Sequence, residues 1–551
     1  MRHARLLIIA AIALMALLIL ASCTGHVEAT LVRVDPLKKL LPETALSQPY
    51  DAVEEVAAGE HATFQFALRG VKSLRDVEIT FETPRDSAGH SLKMATAGFV
   101  DYVHEGRTTL NPAVDAIRSA SGMYPDPIDD DGTPRDIPAG MTQPVWVSVA
   151  IPKDAAPGMY KGKIHLTGKG FKLESDIAVK VYPVIMEEPT IWITNWFNSS
   201  QGALKYFDPD ARIYSEEYWE YIHAIASKMK ECYQNTVLIP LSTITPTHEE
   251  GNWSFDFGNF DKMVETFMEA GVLKRLEAGH IGGRVGKWNS PFGVDVPGKG
   301  RLPMSDPAAI DYYSAFIPAL ISHIREKGWY PIYCQHIADE PAGDNYDSYV
   351  AIASFFKRFA PDVKIIEACH SHELSEIVDI WVPQLDFYSY GYEFYRERQA
   401  AGDEVWFYTC LNPKGEFANR FLEQPLLKTR LLHWINFRFG ATGYLHWGLN
   451  YWKGDDPWYE TTAIQTENGN ILPGGDSWII YPRDKRLYGS IRLEAMRDGI
   501  ADYTLLQMLA RKDEALAKEI CRQTVYDWTV YDMSTAHFRA ARHQILEALS
   551  K

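Results

Sequence analysis

The 551-residue sequence has six cysteines, a shortage of positive charge and, beyond its first twenty residues, no long apolar run. Past the N-terminal segment the cysteines are Cys232, Cys334, Cys369, Cys410 and Cys521, with no CxxC pair among them. That excludes a disulfide-stapled scaffold and a thiolate metal cluster, and three of the five fall in predicted strands, where buried free thiols are expected. Lys and Arg number 55 against 72 Asp and Glu, for a net charge of -17. A nucleic-acid partner is excluded on that ground, because phosphate binding needs a basic face. There is no internal repeat and no low-complexity segment, which excludes solenoid and fibrous architectures.

The one strongly apolar stretch, Leu6 to Leu20, follows the basic Met1-Arg-His-Ala-Arg5 and is short for a bilayer span. Leu20-Ala-Ser-Cys23 resembles a bacterial lipobox. Residues 1–23 therefore read as a lipoprotein signal peptide, with Cys23 the lipid-bearing first residue of the mature protein. An ordinary cleaved signal peptide is the alternative. A lipid anchor would place the protein on a membrane of the bacterial cell envelope, facing the periplasm or at the cell surface.

What is present in abundance is aromatic: 15 Trp, 29 Tyr and 24 Phe. A chain of this length needs more than one core. Residues 24–189 show period-two runs, among them Ala62–Leu68, Asp76–Phe81, Val145–Ile151 and Lys163–Thr167, punctuated by Gly and Pro. They predict an antiparallel β-sandwich. Gly122 to Gly140, containing Tyr124–Gly132, reads as a solvated Pro- and Asp-rich loop; a calcium site is the alternative, but Ile137 stands where the twelfth-position carboxylate of an EF-hand belongs.

From residue 190 to 510 strands alternate with helices, and eight strand candidates, among them Ile380–Ser389 and Glu404–Leu411, predict a (β/α)8 TIM barrel. Residues 511–551 read as a C-terminal helical extension. The whole is a multidomain β plus α/β chain. In such a barrel the site forms at the C-terminal strand ends. Those ends supply Asn195, Trp196, Pro240, His280, Asp339, Glu340, His370, Tyr388, Tyr390, Tyr408, Asn412, Trp447, Asn450 and Trp452. Carboxylates, amides, histidines and aromatics converging on one face suit a carbohydrate pocket.

Two adjacent acids, Asp339 and Glu340, end the apolar run Tyr330-Pro-Ile-Tyr-Cys-Gln-His-Ile-Ala-Asp-Glu-Pro341. Pro341 is expected to keep Glu340 extended. Paired acids at the mouth of a buried strand are costly unless used. Glu340 suits a proton donor whose pKa is raised by burial and by the Asp339 charge. Sequence neighbours fit poorly as two carboxylates facing each other across a glycosidic bond. They fit better a substrate-assisted mechanism, in which a 2-acetamido group attacks and Asp339 orients it.

Several strings resemble glycoside hydrolase family 123, the β-N-acetylgalactosaminidases. They are Val145-Trp-Val-Ser-Val with Pro157-Gly-Met-Tyr-Lys-Gly162, Phe255-Asp-Phe-Gly-Asn-Phe-Asp261, Ile337-Ala-Asp-Glu-Pro341, Tyr444-Leu-His-Trp-Gly-Leu-Asn-Tyr-Trp452 and Ser490-Ile-Arg-Leu-Glu-Ala-Met-Arg-Asp-Gly-Ile-Ala-Asp-Tyr503. The resemblance implies a β-sandwich before a TIM barrel, and an exo-acting retaining enzyme that releases terminal β-linked N-acetylgalactosamine from an oligosaccharide or glycolipid. It implies Asp339 as the acetamido-orienting residue and Glu340 as the acid/base. Among the other strand-end residues, Trp447 and Trp452 are candidates to wall the sugar, Tyr390 and Tyr408 to bond the acetamido oxygen, and His280 and Asn195 to complete the site. No metal or cofactor is expected. A β-N-acetylglucosaminidase of the same mechanism and a catalytically silent glycan-binding lipoprotein are the alternatives.

Overall fold

The computed structural model describes residues 27–46, 49–92, 94–461, 463–464 and 471–551, so the expected signal segment and Cys23 lie outside the described residues. The described residues form two compact units, one within residues 27–101 and 128–183 and one within residues 102–127 and 184–551.

In the first unit two antiparallel five-stranded sheets supply the core. One has the order Ala29–Val34, His61–Gly70, Thr142–Ala150, Met94–Glu105 and Gly122–Asp129, the last two belonging to this unit only over residues 94–101 and 128–129. The other runs Glu54–Ala58, Phe171–Ile185, Gly158–Gly168, Leu74–Arg85 and Arg135–Ile137. The strand His61–Gly70 shows how the sequence pattern works. Ala62, Phe64, Phe66 and Leu68 point one way into a core with Val77, Val147, Ile164, Leu166 and Val179. The alternate positions are buried too, because the segment after the first strand folds over them: Ala67 packs with Val34 and Leu40, and the Gln65 amide donates to Asp35 O and Lys38 O.

Tyr124–Asp129 is not the solvated loop its composition suggests. It lies within the edge strand Gly122–Asp129, where Pro125 and Pro127 are tolerated because an edge needs fewer donors. The expected 24–189 domain also gives up residues 102–127 to the second unit. There Asp126, fully buried, receives Arg492 Nε at 2.8 Å and Nη2 at 2.7 Å and the Tyr481 hydroxyl at 2.5 Å. Arg492 spends its remaining N–H groups on Arg420 O, Gly475 O and Trp478 O. The long strings around Ser490–Tyr503 thus encode a cross-chain clamp at Arg492, while Arg497 pairs locally with Glu494 and Asp498.

The second unit alternates parallel strands with helices. Six strands pair in the order Thr236–Ile239, Arg275–Ala278, Tyr333–Gln335, Lys364–Ala368, Ile380–Val382 and Glu404–Val405. Three more pair as Trp192–Asn195, Gly443–His446 and Phe407–Thr409. The predicted strand 404–411 is broken at the buried Trp406, whose indole occupies the space a side chain at Gly443 would need. The ladders therefore make two parallel sheets where one closed sheet was expected.

The predicted strand over 380–389 ends at Val382, and Leu385–Tyr390 is helical, with Leu385 and Tyr388 buried on one face. Helix starts are marked by Ser215, Asp306 with Pro307 behind it, and Ser490, each side chain accepting a backbone N–H of the first turn. The tail is docked. Helices Glu514–Thr524 and Thr535–Ser550 pack beside Ile491–Lys512, and Arg542 reaches the buried Asp502 at 2.8 Å. The five described cysteines are buried and free. No described helix is long and apolar enough to cross a membrane.

Candidate active site

The fourth parallel strand in chain order, Tyr333–Gln335, is shorter than the run of apolar residues that contains it. Backbone pairing nevertheless continues, with His336 N–H donating to Ala278 O at 3.2 Å and Glu340 N–H to Ala368 O at 3.1 Å. Asp339 and Glu340 are thereby delivered beyond the strand's C-terminal end. Glu340 is not extended: its φ is +48°, in the left-handed region. That conformation before a proline costs about 1–3 kcal/mol. Arg284 Nη2 donates to Glu340 O at 3.0 Å, so the strained residue is gripped through both its N–H and its carbonyl.

Both acids line a cavity of about 830 Å3, half-buried themselves, with Trp196, Trp288, Trp447 and Tyr451 among its walls. Tyr408, buried, donates its phenolic hydroxyl to Glu340 Oε1 in a short hydrogen bond. Burial and the neighbouring Asp339 charge push the Glu340 carboxyl up to about 8, against the pull of Tyr408 and Arg284. That upward shift favours the protonated form of Glu340, the form able to donate.

Beneath the acids lies a fully buried row of three charges. The carboxylate of Glu277 accepts from His336 Nε2 at 2.6 Å, Trp196 Nε1 at 2.8 Å and Thr194 Oγ1 at 2.8 Å. That of Glu367 accepts from His336 Nδ1 at 3.0 Å, Tyr349 OH at 3.0 Å, and the backbone N–H groups of Ile337 and Ala338 at 3.0 and 3.2 Å. Burial alone would push His336 down. The hydrogen bonds to Glu277 and Glu367 reverse that and carry it up to about 10. His336 is an imidazolium that ties a cavity wall, Trp196, to the peptides just before Asp339. His280, His336 and Glu367 bring ligand atoms within 4.8 Å of one another. With both His336 nitrogens donating to carboxylates, this trio suits a hydrogen-bonded cation rather than a metal ion.

The other sequence candidates divide. Tyr408, Trp447 and His280 line the cavity. Trp447 Nε1 donates to the buried Asp476 at 3.2 Å, and burial, then the nearby His336, push the His280 imidazole below its ordinary value. Asn195 does not reach the cavity, because it is buried between Gln234 and Arg420. Trp452 is buried against Tyr206 and Tyr221, with its indole N–H on Ile480 O. Tyr390 is 76 % exposed at the end of its short helix and lies outside the cavity wall.

Trp288, Gln384, Asp386, Phe387 and Tyr451 line the cavity without having been singled out in the sequence. Trp288 sits in the Gly-rich insertion after the third strand, and the next three sit where a strand end gives way to a helix. Only the glycine run at Gly282–Gly286 gave a hint of that loop.

Half-buried paired acids, one of them pushed toward its protonated form, among indole and phenol walls at the C-terminal ends of parallel strands make this a sugar-cleaving enzyme. The catalytic-domain model of glycoside hydrolase family 123 matches residues 196–509, and that family's N-terminal domain model matches residues 39–168. The chain belongs to glycoside hydrolase family 123.

Among solved structures, a family 123 glycoside hydrolase from Clostridium perfringens, described in terms of glycolipid glycan hydrolysis, superposes with a TM-score of 0.74. It is 16% identical, with 95% of this chain and 97% of that one covered, and it supports the fold. A Parabacteroides merdae β-glucuronidase (TM-score 0.31, 8% identity, 86% and 51% covered) and a Thermotoga petrophila endo-β-1,4-mannanase (0.36, 13%, 58% and 77%) are too distant to bear on the site. No curated protein matches the chain in sequence.

Proposed function

We propose that the chain is an exo-acting retaining β-N-acetylgalactosaminidase that works by substrate assistance, without metal or cofactor. The observation that carries this reading is the adjacency of Asp339 and Glu340 with Glu340 pushed toward its protonated form. In the first step the acetamido carbonyl oxygen attacks C1 and the C1–O bond breaks. Glu340 gives its proton to the departing oxygen, and Asp339 faces the acetamido N–H as positive charge spreads over the oxazolinium ring. In the second step Glu340, now a carboxylate, takes a proton from water as that water attacks C1. The ring opens and the configuration is retained. Trp196, Trp288 and Trp447 offer faces for the sugar ring and its methyl group.

A second reading rests on Asp386, another acid on the cavity wall, as a covalent nucleophile working with Glu340. Its Oδ1 already accepts from the Gln384 amide at 2.7 Å and from Phe387 N–H at 2.9 Å, which favours a fixed structural part. Hydrolysis of chromogenic N-acetylgalactosaminides, N-acetylglucosaminides and their 2-hydroxy counterparts tests both. Activity confined to the acetamido sugars supports assistance, and equal activity on 2-hydroxy sugars overturns it. Preference for the gluco epimer would make the enzyme a β-N-acetylglucosaminidase, and no turnover a glycan-binding lipoprotein.

The reading extends to three finer points. The two parallel sheets are arcs of one (β/α)8 barrel, supported by bonds across both gaps: Asn235 N–H to Ile193 O, and Trp406 N–H to Trp381 O. The glycan is carried by an oligosaccharide or a glycolipid. Residues 1–23 direct the protein to the cell envelope, with Cys23 lipidated, which mass spectrometry of the mature N-terminus tests.

A further inference from the structure

The strand Arg275–Ala278 and the helix Pro307–Glu326 are joined by an insertion of three short antiparallel strands, Gly282–Arg284, Phe292–Val296 and Gly300–Leu302. It is pinned from several sides. Gly282 N–H donates to Ile337 O at 2.8 Å, Phe292 N–H to Ser348 Oγ at 2.8 Å, and the Tyr313 hydroxyl to Asp295 O at 3.1 Å. Arg301 donates to Arg284 O at 2.8 Å and grips the Asp295 carboxylate at 3.0 and 2.7 Å. Glycine is needed at Gly283, because a Cβ there would meet the Arg301 guanidinium at 2.6 Å.

What the insertion holds in place is the Arg284 side chain. Its Nε donates to Trp288 O at 2.7 Å and its Nη2 to Glu340 O at 3.0 Å, while the guanidinium lies over the Trp288 ring, 3.8 Å from the centroid. Among the described residues both of these hydrogen bonds go to backbone carbonyls and neither to a carboxylate. Glu340, with φ +48° before Pro341, has a shape that persists only where its surroundings impose it. Ala368 O fixes its N–H at 3.1 Å and Arg284 fixes its carbonyl. Neither bond occupies the carboxyl, so together they settle where it points and leave it free to react. The groups that bear on the charge of that carboxyl are Asp339, Tyr408, Arg284 and the buried thiols of Cys369 and Cys410, and Arg284 is the cation among them.

We propose that Arg284 is a positioning residue for the acid: by holding the Glu340 peptide in its left-handed shape it aims the carboxyl into the cavity, and it links that aim to Trp288 on the cavity wall. The assignment rests on the reading of Glu340 as the proton donor. Without Arg284 the strained peptide is held at one end alone, so proton delivery suffers before sugar binding does.

The test compares kcat/KM for an alkyl and a dinitrophenyl β-N-acetylgalactosaminide across the pH profile. The alkoxide needs a proton to leave and the dinitrophenolate does not. Arg284→Met keeps the stem and removes the donors and the charge. It should lower the alkyl rate about tenfold or more and leave the dinitrophenyl rate within about threefold of wild type. It should also move the alkaline limb to higher pH, because a cation that favours the Glu340 carboxylate is gone. Arg284→Lys, which keeps the charge but not the planar fork, should return the limb and only part of the rate. Equal losses on the two substrates, no loss on either, or a limb unmoved by Arg284→Met overturns the assignment. If wild type cleaves neither substrate, the reading of Glu340 as the acid fails, and Arg284 is judged on the folded protein alone. The difference in melting temperature made by Glu340→Gln, followed against pH, reports the Glu340 carboxyl. A shift of that difference to higher pH in the Arg284→Met background upholds the positioning role, and no shift overturns it.

Discussion

Tyr408 and Glu340, 68 positions apart in sequence, share a short hydrogen bond in which the phenol donates to the carboxyl. Tyr408 comes from the seventh strand position and Glu340 from beyond the fourth, so the two meet only because strands 4 to 7 bring them to one cavity. The bond opposes burial and the Asp339 charge, both of which drive the Glu340 pKa upward. Replacing Tyr408 by Phe removes that opposition. The alkaline limb of the pH–rate profile should move to higher pH, and kcat should fall by about tenfold as the acid loses its orientation. An unchanged profile would show that the bond has no part in setting the proton.

Glu340 must hold its proton to act as the acid, so kcat/KM should fall as pH rises through about 8. Glu340→Gln should lower the rate by about 10²–10⁴-fold on substrates with poor leaving groups, and far less on activated aryl glycosides. Stability carries the same signature. A carboxyl raised from 4.5 to about 8 on folding contributes stability below the lower value and loses it as pH rises through the upper one. Thermal melts of the Gln variant should therefore exceed wild type at pH 9 and draw level near pH 4.

Asp339→Asn and Asp386→Asn separate the two mechanisms. Under substrate assistance the first should cost about 10²-fold or more in kcat even with activated leaving groups, and the second should cost little. Trapping of a covalent glycosyl-enzyme, by mass spectrometry, on Asp386 would reverse the assignment.

His336 is held between Glu277 and Glu367, all three fully buried, and removing it leaves two carboxylates without their cation. His336→Ala should cost about 3–5 kcal/mol in denaturant unfolding at neutral pH. The His336 pKa rises from 6.5 to about 10 on folding, so this contribution is complete below about 6.5 and fades as pH approaches 10. The gap between wild type and variant should narrow across that window.

Much of this was written in local pattern. Alternation at Ala62–Leu68 gave a sandwich strand, and the apolar run before Asp339 gave the place of the acids. Local pattern misled where distant partners decide. Pro125 and Pro127 suggested a loop, yet Asp126 is drawn into a buried pair by Arg492, 366 positions away. Tyr390, which has the right chemistry and the right strand, is carried out of reach because residues 385–390 coil into a helix. Pro341 suggested an extended Glu340, but Ala368 and Arg284 hold its peptide in another shape. Glu277, Glu367 and His336 are scattered over three strands, and nothing in their neighbourhoods announces that they touch.

The Arg492–Asp126 clamp bears on how the gene can be cut. A fragment starting at residue 184 would keep every residue of the candidate active site, yet it would strand a buried guanidinium whose counter-ion was encoded on the discarded side. The shortest piece with its charges balanced therefore has to include residues 102–127, and the catalytic unit cannot be excised as one continuous stretch that omits the sandwich.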